Sequence, residues 1–178
     1  MSINCNILSP LLKKTEPNFN NYLDRIYNEF KRYIIDNKLY FDQKEVKARI
    51  FPIDKTFGKC ETFTHIISEE VKNSQFKMRC HKFERMERIN WVEDLINNAN
   101  CSQGCCSGIR VWSKRHKRNV FRTKLYLEQD QYCVVLEKKG SYYFLVTAFP
   151  VYREHTKNKL NNEYGRYLRD VARQQNGM

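Results

Sequence analysis

Residues 132–151, YCVVLEKKGSYYFLVTAFPV, decide how this 178-residue chain folds. Two runs, Tyr132–Glu137 and Tyr142–Val151, are rich in β-branched and aromatic residues and almost continuously apolar. Between them, Lys138-Lys139-Gly140-Ser141 has the composition of a tight turn. Strands that are apolar along their whole length are covered on both faces, or lie centrally with helices on one side. Upstream the alternation continues. Ile109–Ser113, Asn119–Leu127, Gln131–Glu137 and Tyr142–Val151 read as four successive strands, and their short links imply an antiparallel meander.

Helical periodicity flanks this meander. Phe19, Tyr22, Leu23, Ile26, Tyr27, Phe30, Tyr33 and Ile34 recur at three- and four-residue steps, which predicts an amphipathic helix ending near Asn37. Residues 81–99 repeat the pattern through Phe83, Met86, Ile89, Val92 or Trp91, Leu95 and Ile96, and Glu154–Gln174 through Leu160, Tyr164, Tyr167, Leu168 and Val171. Val46, Ala48 and Ile50 alternate with Lys47 and Arg49, a short strand stopped at Pro52. The segment ETFTHIISEE (61–70) stays open. Thr62, Phe63, Thr64 and Ile66 favour a strand, whereas Ser68 followed by Glu69 and Glu70 suits a helix start. The expected fold is α+β: N-terminal helices, then a four-stranded antiparallel β-sheet, then a C-terminal helix. Residues 1–40 read as a loose lead-in and amphipathic helix, and residues 41–178 as the α+β domain.

Composition narrows the class. Apolar residues make up 41% and aromatics 13%, enough for a real core, which excludes global disorder. No apolar run approaches the ~20 residues that span a bilayer, so no membrane partner is expected. The N-terminus lacks a basic start followed by an apolar stretch, so it does not read as a signal peptide. Seven cysteines, an odd number, suit reduced thiols in a cytoplasmic protein. Cys101, Cys105 and Cys106 cluster in a loop-like stretch without paired metal-ligand spacing, and they read as plain thiols. No metal and no cofactor is expected.

The charge is concentrated. Lys and Arg number 32 against 20 Asp and Glu, a net +12, and the stretch RVWSKRHKRNVFRTK (110–124) holds seven of the cations and no acid. Such a block repels itself unless a polyanion lies against it. Val111, Trp112, Val120 and Phe121 place it on a folded hairpin rather than a tail. Arg110, Lys114, Arg115, His116, Lys117, Arg118 and Arg122 are therefore candidate phosphate contacts; a basic surface loop in a basic protein is the plain alternative.

Chemistry-bearing residues are few. His65 lies in a packed-looking stretch and titrates near neutral pH; a core histidine is the plain alternative. His155, at a helix start, is a weaker acid–base candidate, and His81 reads as structural. Arg85 and Arg88 are neighbours on one helix, either in a solvated ion-pair ladder or as a phosphate clamp. Thr147 interrupts an apolar strand, where its hydroxyl either bonds locally or faces a cleft. Tyr143, read as lying on the same face, could stack on a base. There is no glycine-rich phosphate loop, no HExxH, no GxSxG and no acidic cluster of the two-metal kind. RNA carries its own nucleophile in the 2′-hydroxyl, so such a residue set suits RNA rather than DNA cleavage.

Several segments resemble a family. FTHII, then RMERINWVEDLINNA, then VW before the basic hairpin, then the LVTAFPV…H…KL…EY ending resemble phage- and plasmid-associated nuclease domains of the barnase–EndoU–colicin–RelE-like (BECR) class, over about residues 60 to 164. The resemblance implies helices before a four-stranded antiparallel sheet. It implies metal-independent endoribonuclease activity on RNA, often transfer RNA or ribosome-bound message, in a toxin or phage–host conflict setting. By position it implies catalytic roles for His65, Arg88 and Thr147, with Lys124 a further cation. Lys159 falls in the same ending as His155. An acidic antitoxin or immunity protein is the expected protein partner. Two other readings stand beside it: a non-catalytic nucleic-acid-binding module, and an ADP-ribosyltransferase, suggested by Thr64-His65-Ile66 if that triplet follows a strand.

Overall fold

The computed structural model describes residues 7–53, 58–71, 78–99 and 108–176. From the N-terminus the elements are α1 (Phe19–Lys31), continued by a π-helical turn (Arg32–Asp36), β1 (Tyr40–Phe41), β2 (Lys44–Lys47), α2 (Glu61–Ile67), β3 (Ser68–Glu70), β4 (Arg79–His81), α3 (Phe83–Met86), α4 (Trp91–Asn98), β5 (Ile109–Lys117), β6 (Val120–Leu127), β7 (Tyr132–Lys138), β8 (Tyr142–Pro150) and α5 (Glu154–Asn176). The α+β class holds, with a helix at each end, but the main sheet has six strands rather than four, in the order β1-β2-β8-β7-β6-β5. β5–β8 form the expected antiparallel meander. The two added strands form a hairpin whose turn, Asp42-Gln43, has positive φ at both positions (48° and 60°). That is the geometry of a type I′ turn, reached without the glycine that would have flagged it. β2 then joins β8 in parallel, Val46 opposite Tyr143. β3 and β4 make a separate two-stranded sheet.

The sheet is covered on both faces, which is why five successive residues of β7, Tyr132–Leu136, are all buried. On one face, α1, α2 and α4 contribute Tyr22, Ile26, Phe30, Phe63, Ile66 and Leu95 to a core shared with Leu125, Val134, Leu136 and Leu145. On the other, α5 lays Leu160, Tyr164 and Tyr167 over Trp112, Tyr126, Cys133 and Val135. Leu168, expected inward, is exposed. The expected helix over 81–99 is two short helices separated by a turn at 87–90. The strand expected through Ile50 ends at Lys47.

The lead-in is held rather than loose from Ile7 onward. The Trp91 indole donates to the Ser9 carbonyl (2.8 Å), the Ser9 amide donates to the Asp94 carboxylate (2.7 Å), and the Leu12 amide donates to the Glu87 carbonyl (2.9 Å). No helix among the described residues is long and apolar enough to cross a membrane.

Segment 61–70 reverses both local leanings: the residues that favour a strand are helical, and those that suit a helix start are a strand. Glu61–Ile67 is helix, and Ser68–Glu70 is strand. Intrinsic propensity leans to a strand for a run rich in Thr, Phe and Ile. Burial of Phe63, Ile66 and Ile67, spaced three and four apart, decides it. Thr64-His65-Ile66 thus lies inside a helix, which removes the strand-then-THI premise of the ADP-ribosyltransferase reading.

Candidate active site

β2 covers the edge of β8 only from Tyr142 to Phe144. Beyond it, α2 packs alongside β8, turning its apolar side into the core and leaving His65 as the exposed residue of the helix centre. Thr62 fastens the helix start, its hydroxyl accepting from the Arg49 amide at 2.8 Å. The C-terminal end is fastened by two arginines. Arg79 donates to the Ser68 hydroxyl and carbonyl (both 2.8 Å) and to the His65 carbonyl (3.3 Å). Arg85 donates to the Ile66 and Ser68 carbonyls (3.3 and 3.2 Å) and to Glu69 (2.7 Å). The last carbonyls of a helix lack intrahelical partners, and guanidinium groups suit the negative end of its dipole. Capping α2 therefore also sets two cations beside the imidazole.

His65 forms the wall between two depressions. The smaller, about 200 Å³, is lined by Arg49, Glu61, Arg122, Glu137 and Phe144. The larger, about 560 Å³, is lined by Arg79, Lys82, Arg85, Arg153 and Thr147. A third, about 330 Å³, shares Lys82, Arg85 and Arg153 with the second and extends to Phe149 and Tyr152. The three follow one another along β8 as a groove divided at His65. Its arginines are mostly tempered by acids: Arg49–Glu61 at 3.0 Å, Arg85–Glu69 at 2.7 Å and Arg122–Glu137 at 3.8 Å. Partial burial, then the positive charges of Arg79 and Arg85, with a smaller contribution from Arg122, lower the His65 pKa below its ordinary 6.5. The shift favours the neutral imidazole, the form that can accept a proton. Among the described residues no group of three His, Cys, Asp or Glu side chains is arranged to hold a metal.

The structure brings together some of the residues singled out from sequence and separates others. Thr147 shares the larger depression with His65, and Arg122 shares the smaller. Arg85, not Arg88, is the helix arginine that reaches the site. Tyr143 faces the opposite side of the sheet, packed edge-on against Phe41 (5.2 Å). A β-bulge explains this. Leu136 pairs with Leu145 but Val135 pairs with Thr147, so Val146 is the extra residue, and the alternation reverses between Tyr143 and Thr147.

Lys124 lies under α5, 17% exposed, its ammonium 2.5 Å from Glu163 and 5.8 Å over the Trp112 ring. Lys114 also pairs with Glu163, at 3.3 Å, and Arg110 with Glu128. The base of the basic hairpin is thus partly neutralised internally. Its tip, Arg115, His116, Lys117 and Arg118, is exposed, and Arg115, Lys117 and Arg118 form no ion pair with an acid among the described residues. His155 and Lys159 line a separate depression beside Lys114 and Arg166, away from His65. Cys60 and Cys133 are buried free thiols and Cys80 is an exposed one; Cys101, Cys105 and Cys106 lie outside the described residues.

Sequence reading missed Arg49, Arg79, Arg153 and Glu163. For Glu163 a signal was present, since it sits three residues after Leu160 and directly before Tyr164, an acid on the apolar stripe of the helix. Nothing in their local sequence marks the three arginines. The chain matches no protein-family model, and no curated protein and no solved structure is significantly similar to it.

Proposed function

We propose that the protein is a metal-independent endoribonuclease of the BECR-like class. The observation that carries the reading is an exposed histidine shared by two adjoining depressions, one lined by Arg122 and the other by Arg79, Arg85 and Thr147. His65 takes the proton of a ribose 2′-hydroxyl. The 2′-oxygen bonds to the adjacent phosphorus, the bond from phosphorus to the 5′-oxygen breaks, and that oxygen is protonated from water. His65 returns its proton to solvent. Arg79 and Arg85 stabilise the charge gathering on the non-bridging oxygens, and the Thr147 hydroxyl donates to one of them. The products are a 2′,3′-cyclic phosphate and a free 5′-hydroxyl.

The test is incubation of total RNA with the purified protein in EDTA, followed by mapping of new ends. Cyclic phosphate ends are expected, with a loss on the order of 10²–10⁴-fold in rate for His65→Ala at unchanged circular dichroism. Activity should fall as pH drops through the lowered histidine pKa, so the acid limb should lie below 6.5. Cutting that survives His65→Ala unchanged removes the imidazole from the reaction. The exposed, unpaired hairpin tip supports a second reading as a non-catalytic binding module, for which tight, salt-sensitive RNA binding without product is the outcome. Transfer RNA or ribosome-bound message as substrate, an acidic neutralising partner, and a cytoplasmic toxin or phage-conflict setting belong to this proposal as expectations of the same class.

A further inference from the structure

The groove ends on a ring that nothing in the cleavage step uses. Tyr152 is 55% exposed. Its ring rests on the Arg88 guanidinium at 5.8 Å, and that guanidinium lies 4.9 Å over the Trp91 ring. The other two side chains are fixed. Trp91 is 8% exposed and donates to the Ser9 carbonyl at 2.8 Å, and Arg88 donates to the Glu84 carbonyl at 2.8 Å. Arg88 thus lies within cation–π range of both rings, and Tyr152 is the exposed member of the set. Tyr152 and Arg153 line the same depression, and Arg153 also lines the depression that holds His65.

An exposed aromatic ring against a held guanidinium, beside an arginine that can meet a phosphate, is what an unpaired nucleobase stacks on. A base held inside a duplex cannot reach such a ring, because its faces are already occupied by its neighbours. We infer that Tyr152 is a base-stacking subsite, and that the groove therefore selects single-stranded RNA with an unpaired nucleotide beside the scissile linkage. The inference rests on the ribonuclease reading for the position of that linkage. Arg88 is a positioning residue in this scheme, because it acts on the base through Tyr152.

The test measures binding and cleavage separately. A single-stranded RNA hexamer containing 2-aminopurine is titrated against His65→Ala protein, then against the same protein carrying Tyr152→Ala, Tyr152→Phe or Arg88→Ala. Stacking quenches the fluorophore, and Tyr152→Ala should weaken binding about tenfold and abolish the quenching, whereas Tyr152→Phe should keep both. Arg88→Ala should lower the quenching while Tyr152 remains in place. In the His65-containing protein, Tyr152→Ala should raise KM for the hexamer about tenfold and change kcat little, because the ring holds substrate away from the reacting atoms. Equal binding and equal quenching by the Tyr152→Ala protein, or equal use of duplex and single-stranded RNA, overturns the inference even where cleavage is found. Tyr152-dependent binding and quenching without any cleavage upholds the stacking subsite and overturns the ribonuclease reading instead.

Discussion

Two regions of this molecule carry dense positive charge, and they hold it differently. Around His65 the arginines are committed to structure. Arg79 and Arg85 close the end of α2, and Arg49, Arg85 and Arg122 each face a glutamate. At the tip of the β5–β6 hairpin, residues 115–118 project into solvent around a bulge at His116 and a turn at Asn119 (φ 61°), and Arg115, Lys117 and Arg118 form no ion pair with an acid among the described residues. Held charges have already lost their side-chain entropy and can act at a defined point. Loose charges attract a polyanion from a distance but position nothing. A catalytic centre needs the first kind, and an electrostatic guide needs only the second.

The comparison breaks most sharply at Arg85. Arg85→Ala removes the caps on the Ile66 and Ser68 carbonyls together with a cation of the groove, so it should lower stability by about 2–3 kcal/mol and cleavage on the order of 10²-fold. Arg85→Lys should recover little of either, because an ammonium cannot span both carbonyls and Glu69. Urea denaturation alongside rate measurement separates the two losses, and a variant of full stability and full activity would show that the held charge is dispensable.

A smaller effect is expected at the hairpin tip. Replacing Arg115, Lys117 and Arg118 together by Ala should leave kcat and stability near their original values. RNA affinity should fall, and the slope of log affinity against log salt should flatten by roughly 2–3, about 0.7–0.9 for each phosphate that is no longer neutralised. An unchanged slope would mean that the tip does not meet RNA.

The smallest effect sharpens the boundary between the two regions. Glu163 pairs with both Lys114 and Lys124 at the base of the hairpin. Burial pushes its pKa up, but the hydrogen bond from Lys124 and the charges of both lysines outweigh this and leave it below its ordinary 4.5. A carboxylate with a lowered folded-state pKa adds stability that is present above the unfolded value and lost as pH falls through the folded one. Glu163→Gln should therefore cost about 1–2 kcal/mol at neutral pH, and the gap to the parent protein should narrow as pH falls below the ordinary 4.5 towards the lowered folded-state value. Thermal unfolding across pH 3–7 would measure it, and a gap independent of pH would deny the ion pairs their role.

The meander is legible because its information is local: period-two runs, an apolar hairpin and a Gly-Ser turn all act within a few residues. The β1–β2 hairpin is not, because its strands have two and four residues and its turn is Asp-Gln. The parallel seam of β2 with β8 joins residues about a hundred positions apart, and no periodicity records such a pairing. Segment 61–70 is ambiguous because its propensities conflict, and only the packing of Phe63, Ile66 and Ile67 against the rest of the core settles it. Thr147 and His65 stand out by residue type, and they share a depression. Tyr143 lies on the side opposite to the one its spacing suggests, because a single bulged residue, invisible in the pattern, reverses which side of β8 faces inward.

The order of residues alone determined the class of fold, the antiparallel meander with its flanking helices, and the excess of positive charge on one hairpin. Each of these follows from short-range rules of alternation, turn chemistry and composition. Only the tertiary structure decided which charges remain available and what stands beside the histidine. Lys114 and Lys124 share one acid on α5, and Arg79 and Arg85 are drawn to His65 by carbonyls at the end of α2. Hydrogen-bond demand and ion pairing act through space, and the chain that satisfies them is not adjacent in sequence.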